Sequence, residues 1–202
     1  MPELVFYHFP ESGNSWKVLQ LLHLLGLPHR RVDMAGLKGA TRNEAFKKKN
    51  VDQRLPFVEL PDGTGLAESN AILWHLARGS AYLPDDPLEQ AQVLRWMFFE
   101  QNRIEVTIAV VRFQVQYVAR EKRNREFEKA LTLRGLDALG VMEEHLLGRD
   151  FFVGNRFTIA DLALYAYTHC AGEGGFDLSR FPRILAWLKR VEALPGYIPF
   201  AA

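Results

Sequence analysis

The sequence predicts an α/β unit over residues 1–78, a linker over 79–88 and an all-helical unit over 89–202. Three observations carry that division. Up to about residue 80, short apolar runs of strand length alternate with segments of helical spacing. The stretch GSAYLPDDP, residues 79–87, consists of turn formers and prolines without periodicity. From Leu88 to Arg134 the chain contains neither Gly nor Pro, so nothing punctuates it and helix is the regular structure that fits.

Leu4-Val5-Phe6-Tyr7 reads as a buried strand. Residues 15–25 read as a helix, with Trp16, Val18, Leu19, Leu22 and Leu25 apolar and Gly26-Leu27-Pro28 as its stop. Residues 29–33 form a second strand with Val32 as its clear apolar residue, and a basic helix covers 41–49. Phe57 to Leu60, the turn Pro61-Asp62-Gly63-Thr64-Gly65 and Leu66-Ala67 read as a hairpin. A helix over 69–78 closes the unit, giving the order β-α-β-α-β-β-α. An unbroken helix from Leu88 to Arg134 would be unusually long, so a break is expected at the charged stretch 120–126, with Gly148 ending the helix after it. Further helices are expected over 159–170, 181–194 and in the tail.

The composition excludes several function classes. Of 202 residues, 48% are hydrophobic and 24% charged, which is ordinary for a globular chain and rules out disorder. Lys and Arg number 25 against 24 Asp and Glu, without the basic surplus that nucleic acid binding calls for. The single cysteine, Cys170, cannot make an internal disulfide or a Cys-based metal site, and it lies on an apolar helix as a small hydrophobe. The six histidines lack metal-ligand spacing, so no metal is expected. Lys47-Lys48-Lys49 reads as a solvated helix face. No apolar run reaches the ~18 residues of a membrane span, and MPELVFYHF lacks the pattern of a signal peptide. A soluble, cytoplasmic protein is expected.

Four segments carry more specific information. Glu11-Ser12-Gly13-Asn14-Ser15-Trp16-Lys17-Val18 joins the first strand to the first helix. Ser12 or Ser15 caps that helix by accepting from a free backbone N–H. The same geometry lets a hydroxyl and an amide donate to an anion where the helix dipole favours negative charge. A thiol with a free pKa near ~8.5 becomes ionised at neutral pH beside such donors. Arg54-Leu55-Pro56-Phe57 enters the third strand. A cis Leu55–Pro56 bond would turn the N–H and C=O of Leu55 outward to pair with an extended peptide; composition assigns neither isomer. In Leu66 to Leu73, Ser69 is an N-cap, while a helix N-terminus with a hydroxyl binds a carboxylate and the adjacent Glu68 an ammonium. In Phe157-Thr158-Ile159-Ala160-Asp161-Leu162, Thr158 and Asp161 form a capping box and Phe157 and Leu162 its hydrophobic staple, which is folding information.

Together these segments resemble the glutathione S-transferase family over essentially the whole chain. The resemblance implies the GST fold, an α/β thioredoxin-like N-terminal domain followed by an all-α C-terminal domain. Serine-type members carry a catalytic Ser after the first strand, five residues before a Lys or Arg that precedes an aliphatic residue; Ser12, Lys17 and Val18 fit. Leu55-Pro56 matches the family's cis-proline step, Glu68-Ser69 its acid–serine pair and Thr158 to Asp161 its helix-capping box. The segment from Ser12 to Val18 looks like both the zeta class and bacterial members with Asn two residues after the Ser or Thr. Zeta isomerases carry Cys where this chain has Asn14, which argues against maleylacetoacetate isomerase activity. Trp96 to Gln101 and Ile108 to Phe113 also resemble bacterial members, while Asn102 to Thr107 departs from them.

The resemblance implies a glutathione transferase with no resident cofactor, glutathione being the co-substrate, and a homodimer. Glu68 and Ser69 hold the γ-glutamyl end, and Leu55 beside Pro56 pairs with the cysteinyl part. Arg54, ahead of Lys38 or Arg42, neutralises the glycyl carboxylate. Ser12 donates to the sulfur, with Asn14 a second donor, stabilising the nucleophile without bonding to it covalently. The hydrophobic electrophile lies against Phe9 and Pro10, with Phe99, Arg103, Val106 and Phe113 as further walls. Two other readings stay open. One is glutathione-dependent disulfide reduction or peroxidase chemistry, which needs only a stabilised thiolate. The other is a non-catalytic binding or assembly module, against which the intact Ser12, Asn14, Leu55-Pro56 and Glu68-Ser69 argue.

Overall fold

The computed structural model describes residues 3–34 and 41–200. The chain divides into two compact units, Met1–Ala81 with Gly196–Ala202 and Tyr82–Pro195. The division falls inside the expected linker. The assignment of all residues after 88 to the helical unit is corrected at the tail, which belongs to the first unit. No helix forms there either: Pro195 and Gly196 stop the chain, and residues 196–200 run without regular structure.

The first unit is a four-stranded sheet of order β2-β1-β3-β4, built from β1 (Leu4–His8), β2 (His29–Asp33), β3 (Phe57–Glu59) and β4 (Gly65–Ala67). β1 pairs parallel with β2 and antiparallel with β3, and β3 pairs antiparallel with β4 across the predicted hairpin turn. Alternation along β1 sorts its residues by face. Tyr7 meets Phe46 of α2 (Glu44–Lys49) and Phe57 of β3 at ring separations of 5.8 Å. Leu4, Phe6 and His8 point to the other face and are buried. With them lie Val18 and Leu21 of α1 (Gly13–Leu24) and Ile72 and Leu73 of α3 (Ser69–Ala77), none exposed to solvent. Each such fully buried side chain contributes about 1.5–3 kcal/mol. α2 is shorter than expected because Asn43 caps it, accepting from Phe46 N–H at 2.9 Å.

The second unit is helical throughout. α4 (Pro87–Phe99) begins with Asp86 as cap and a proline in its first turn, where the missing N–H costs nothing. It runs into a ten-residue π-helical segment, Glu100–Ala109, and then α5 (Val110–Tyr117). A short 3₁₀ turn, Arg120–Lys122, makes the expected break, and α6 (Arg125–His145) follows, capped by Asn124. α7 (Ile159–Thr168) is buried at every residue and forms the centre of the unit. α8 (Pro182–Glu192) buries Ile184, Trp187, Leu188 and Val191 along one stripe, the spacing of an amphipathic helix.

The Thr158–Asp161 capping box is present, and it does more than cap. Asp161 accepts from Thr158 N–H at 3.0 Å, from Phe152 N–H at 3.0 Å and from the Trp187 indole at 3.0 Å. It therefore ties the loop before α7 and the middle of α8 to one buried carboxylate. Burial pushes its pKa up to about 6 against those hydrogen bonds, leaving it ionised at neutral pH. Cys170 is buried, and burial pushes its thiol up to about 12, so it stays protonated.

Candidate active site

The sharp turn after β1 is pinned by its own serines. Ser12 N–H donates to Phe9 C=O at 3.1 Å, and Phe9 N–H donates to Ser15 Oγ at 3.1 Å. Ser12 is the cap of α1: its Oγ accepts from Ser15 N–H at 3.4 Å. Accepting uses a lone pair and leaves the hydroxyl its proton, so Ser12 can cap and still donate to an anion at the helix start. Ser12 is half-buried, as is Asn14 two residues on. Lys17 is fully buried.

Ser69 corrects an expectation. The cap position of α3 is Glu68, which makes no side-chain cap bond, and Ser69 is the first helical residue. The hydroxyl of Ser69 donates to Asn14 Oδ1 at 3.2 Å instead. That bond joins the first turns of α1 and α3, bringing two helix N-termini into one polar patch. Glu68 adopts φ +66°, a left-handed conformation that costs a side-chain-bearing residue of order 1–3 kcal/mol. Its exposed carboxylate stands beside Ser69.

The Leu55–Pro56 bond is cis. The loop before it is held by Asn50, a buried residue that donates from Nδ2 to Arg54 C=O at 2.9 Å and accepts from Asp52 N–H at 3.2 Å. Arg54 itself is 77% exposed and pairs with Asp52 at 3.3 Å. Arg42 is exposed, and Lys38 lies outside the described residues. Of the expected acceptor walls, Phe9 and Pro10 are half-buried in the first unit. In the second unit the Arg103 guanidinium lies 5.5 Å over the Phe99 ring and pairs with Asp137, whereas Val106 and Phe113 are exposed.

A cavity of about 740 Å³ opens within the first unit, and sequence reasoning missed its polar wall. That wall is His8, Arg31 and Asp33. The pairing of Phe6 with Arg31 and His8 with Asp33 sets β2 alternation in register with β1, so these residues share the face that α1 covers. The signal was available: His8 follows Leu4 and Phe6 at strand spacing, on the buried face. The opposite wall is apolar, formed by Trp16 and Leu19 of α1 and by Ile198 and Pro199 of the tail. Burial lowers the pKa of His8, the nearby Asp33 carboxylate opposing it, so the ring is neutral at physiological pH. Among the described residues no cluster of His, Cys, Asp or Glu could hold a metal ion.

Residues 11–78 match the glutathione S-transferase N-terminal domain and residues 105–195 the C-terminal domain. The chain belongs to the glutathione S-transferase family. A crystal structure of a glutathione S-transferase from Pseudomonas fluorescens [Pf-5] is 47% identical, with a TM-score of 0.94 over 98% of this chain and 99% of that one. Glutathione S-transferase D7 of Drosophila melanogaster is 25% identical over 98% of this chain and 88% of its own length. Elongation factor 1-gamma of Artemia salina is 29% identical over 83% of this chain but 39% of that protein. The four-stranded N-terminal unit and the helical C-terminal unit are those of the glutathione transferase fold, and the activity class is that of a glutathione transferase. No helix of the described residues is long and apolar enough to cross a membrane.

Proposed function

We propose that the chain binds reduced glutathione along its first unit, stabilises the thiolate with Ser12 and transfers it to a hydrophobic electrophile. One observation carries the reading: Ser12 sits at the α1 N-terminus with a donor proton, beside an Asn14–Ser69 bond that gathers a second helix N-terminus next to it. Ser69 takes the γ-glutamyl carboxylate through its backbone N–H, its hydroxyl proton being given to Asn14, and Glu68 takes the ammonium. The main chain of Leu55 pairs with the cysteinyl part. Arg54, exposed and paired to a neighbouring carboxylate in water, exchanges that weak contact for the glycyl carboxylate at little cost. The thiol proton leaves to water, and the Ser12 hydroxyl and an amide N–H of Asn14 hold the resulting charge.

The sulfur that reacts is glutathione's own, because Cys170 is buried and protonated. That disfavours reduction through a protein-bound mixed disulfide. We extend the reading to a cytoplasmic homodimer in a detoxifying role, in which Phe98 of α4 and Leu133 of α6, both exposed, gain cover from a second copy. The test is a pH titration of glutathione thiolate absorbance with the protein present. A thiol pKa well below its free value is expected; bound glutathione with an unshifted thiol would move the assignment to a non-catalytic module.

A further inference from the structure

We infer that Ser15 is the positioning residue for Ser12: its hydroxyl oxygen, acting through the turn between β1 and α1, sets how strongly the site stabilises a thiolate. The inference rests on thiolate stabilisation by Ser12 as proposed above and names what aims that hydroxyl. Three hydrogen bonds close a ring over Phe9, Ser12 and Ser15. Phe9 N–H donates to Ser15 Oγ at 3.1 Å, Ser12 N–H donates to Phe9 C=O at 3.1 Å, and Ser15 N–H donates to Ser12 Oγ at 3.4 Å. Pro10 stands second in the four-residue turn that the middle bond closes, where its fixed φ favours the turn.

The distances rank the three bonds. At 3.4 Å the cap bond is longer than the usual range of about 2.7–3.2 Å for N–H···O, so by itself it holds the Ser12 hydroxyl loosely. Both bonds at Phe9 fall inside that range. Phe9 follows the last residue of β1, and a side chain of α1 takes its N–H. Ser15 Oγ therefore fastens the end of the strand to the first turn of the helix, and Ser12 lies between the two fastened points. Ser15 is 1% exposed, so it stands too deep to meet the sulfur, and water does not replace its bond when that bond is lost. A donor stabilises charge only when it is aimed at the place where the charge develops. Loosening the turn weakens the bond from Ser12 to the thiolate without removing the Ser12 hydroxyl. Ser15→Ala isolates this effect, because the Ser15 N–H that Ser12 caps belongs to the main chain and stays.

The experiment uses the full chain as parent, Ser12→Ala, Ser15→Ala and the double variant. The absorbance difference with and without saturating glutathione is titrated against pH, and denaturant midpoints record stability. Ser15→Ala is expected to raise the pKa of the bound thiol by about 0.5–1 pH unit, the worth of one modest hydrogen bond. With chlorodinitrobenzene, kcat measured below that pKa should fall by about three- to tenfold, while the KM for glutathione changes by less than about twofold. The double variant should match Ser12→Ala alone, since a residue that acts only through Ser12 then has nothing left to aim. Ser15→Cys keeps the size of the side chain but accepts a hydrogen bond weakly, so it should behave as Ser15→Ala and replaces it if the alanine variant does not fold. A Ser15→Ala protein that loses stability but keeps the parent's thiol pKa overturns this inference alone. So does a double variant whose rise is the sum of the two single ones, because Ser15 would then act on the sulfur without Ser12. A thiol that is unshifted in the parent, or untouched by Ser12→Ala, overturns the Ser12 reading and this inference with it.

Discussion

At Ser12 two demands fall on one hydroxyl, since the α1 cap takes a lone pair and a thiolate takes the proton. Ser12→Ala removes both, and the two losses separate experimentally. The lost cap lowers stability by about 0.5–2 kcal/mol. The lost donor lowers turnover by about tenfold or more, because it favours the ionised sulfur specifically, while glutathione affinity changes little. The pH profile of kcat/KM should shift upward toward the free thiol value. Equal turnover in variant and parent would assign the charge stabilisation to Asn14 or the main chain. At Asn14 the outcome differs in kind. Asn14→Ala leaves the Ser69 hydroxyl without its 3.2 Å acceptor, so glutathione binding should weaken together with turnover. Isothermal titration against Asn14→Ala and Ser69→Ala together checks it: non-additive losses are expected for partners in one bond.

At the scale of elements, Asp161 and Gly135 are the positions where local rules meet tertiary demands. Asp161→Ala leaves Phe152 N–H, Thr158 N–H and the Trp187 indole without their acceptor, a destabilisation of about 2–5 kcal/mol by denaturant titration. The pH dependence has a definite sign. The folded-state pKa of Asp161 is raised to about 6 from 3.8, so its ionisation weighs against the fold as pH rises through that window. The stability gap between parent and Asp161→Ala should therefore be wider at pH ~5 than at pH ~8, and a gap that widens with pH would contradict the burial argument. A Cβ at Gly135 of α6 would come within 2.6 Å of the Phe176 ring, so Gly135→Ala costs about 1–3 kcal/mol despite alanine's better helix propensity. This contrast marks what the sequence discloses. The capping box, the hairpin turn and the break before α6 were legible because their chemistry is local. The π-helical segment was not, because no residue type in EQNRIEVTIA encodes an i→i+5 ladder. Ser69 was misread as a cap because its true partner, Asn14, is 55 residues away.

For the whole molecule, the consequential feature is that the first unit is not continuous in sequence. The tail returns to it after the helical unit is complete, and its grip is polar. The Trp16 indole donates to Ile198 C=O at 3.0 Å, Gln20 Nε2 donates to Gly196 C=O at 2.8 Å, and Ile198 N–H donates to Gln20 Oε1 at 2.7 Å. Trp16 also meets the Tyr197 and Phe200 rings edge-on at 6.0 and 6.4 Å. Nothing in the tail's own residues announces these partners, which is why Trp16 and Gln20 read only as helix positions. The same segment walls the cavity of the first unit, so the tail couples stability to the shape of that cavity. A chain ended after Pro195 should lose about 1–3 kcal/mol, the sum of modest part-buried hydrogen bonds. It should leave glutathione affinity nearly unchanged, since none of the proposed glutathione residues lies in the tail. Trp16, 4% exposed in the intact chain, should shift its emission to the red, read against a Trp16→Phe background to remove the other tryptophans. A matching loss of glutathione affinity would mean that the tail supports the glutathione-binding part of the unit as well as the cavity it walls.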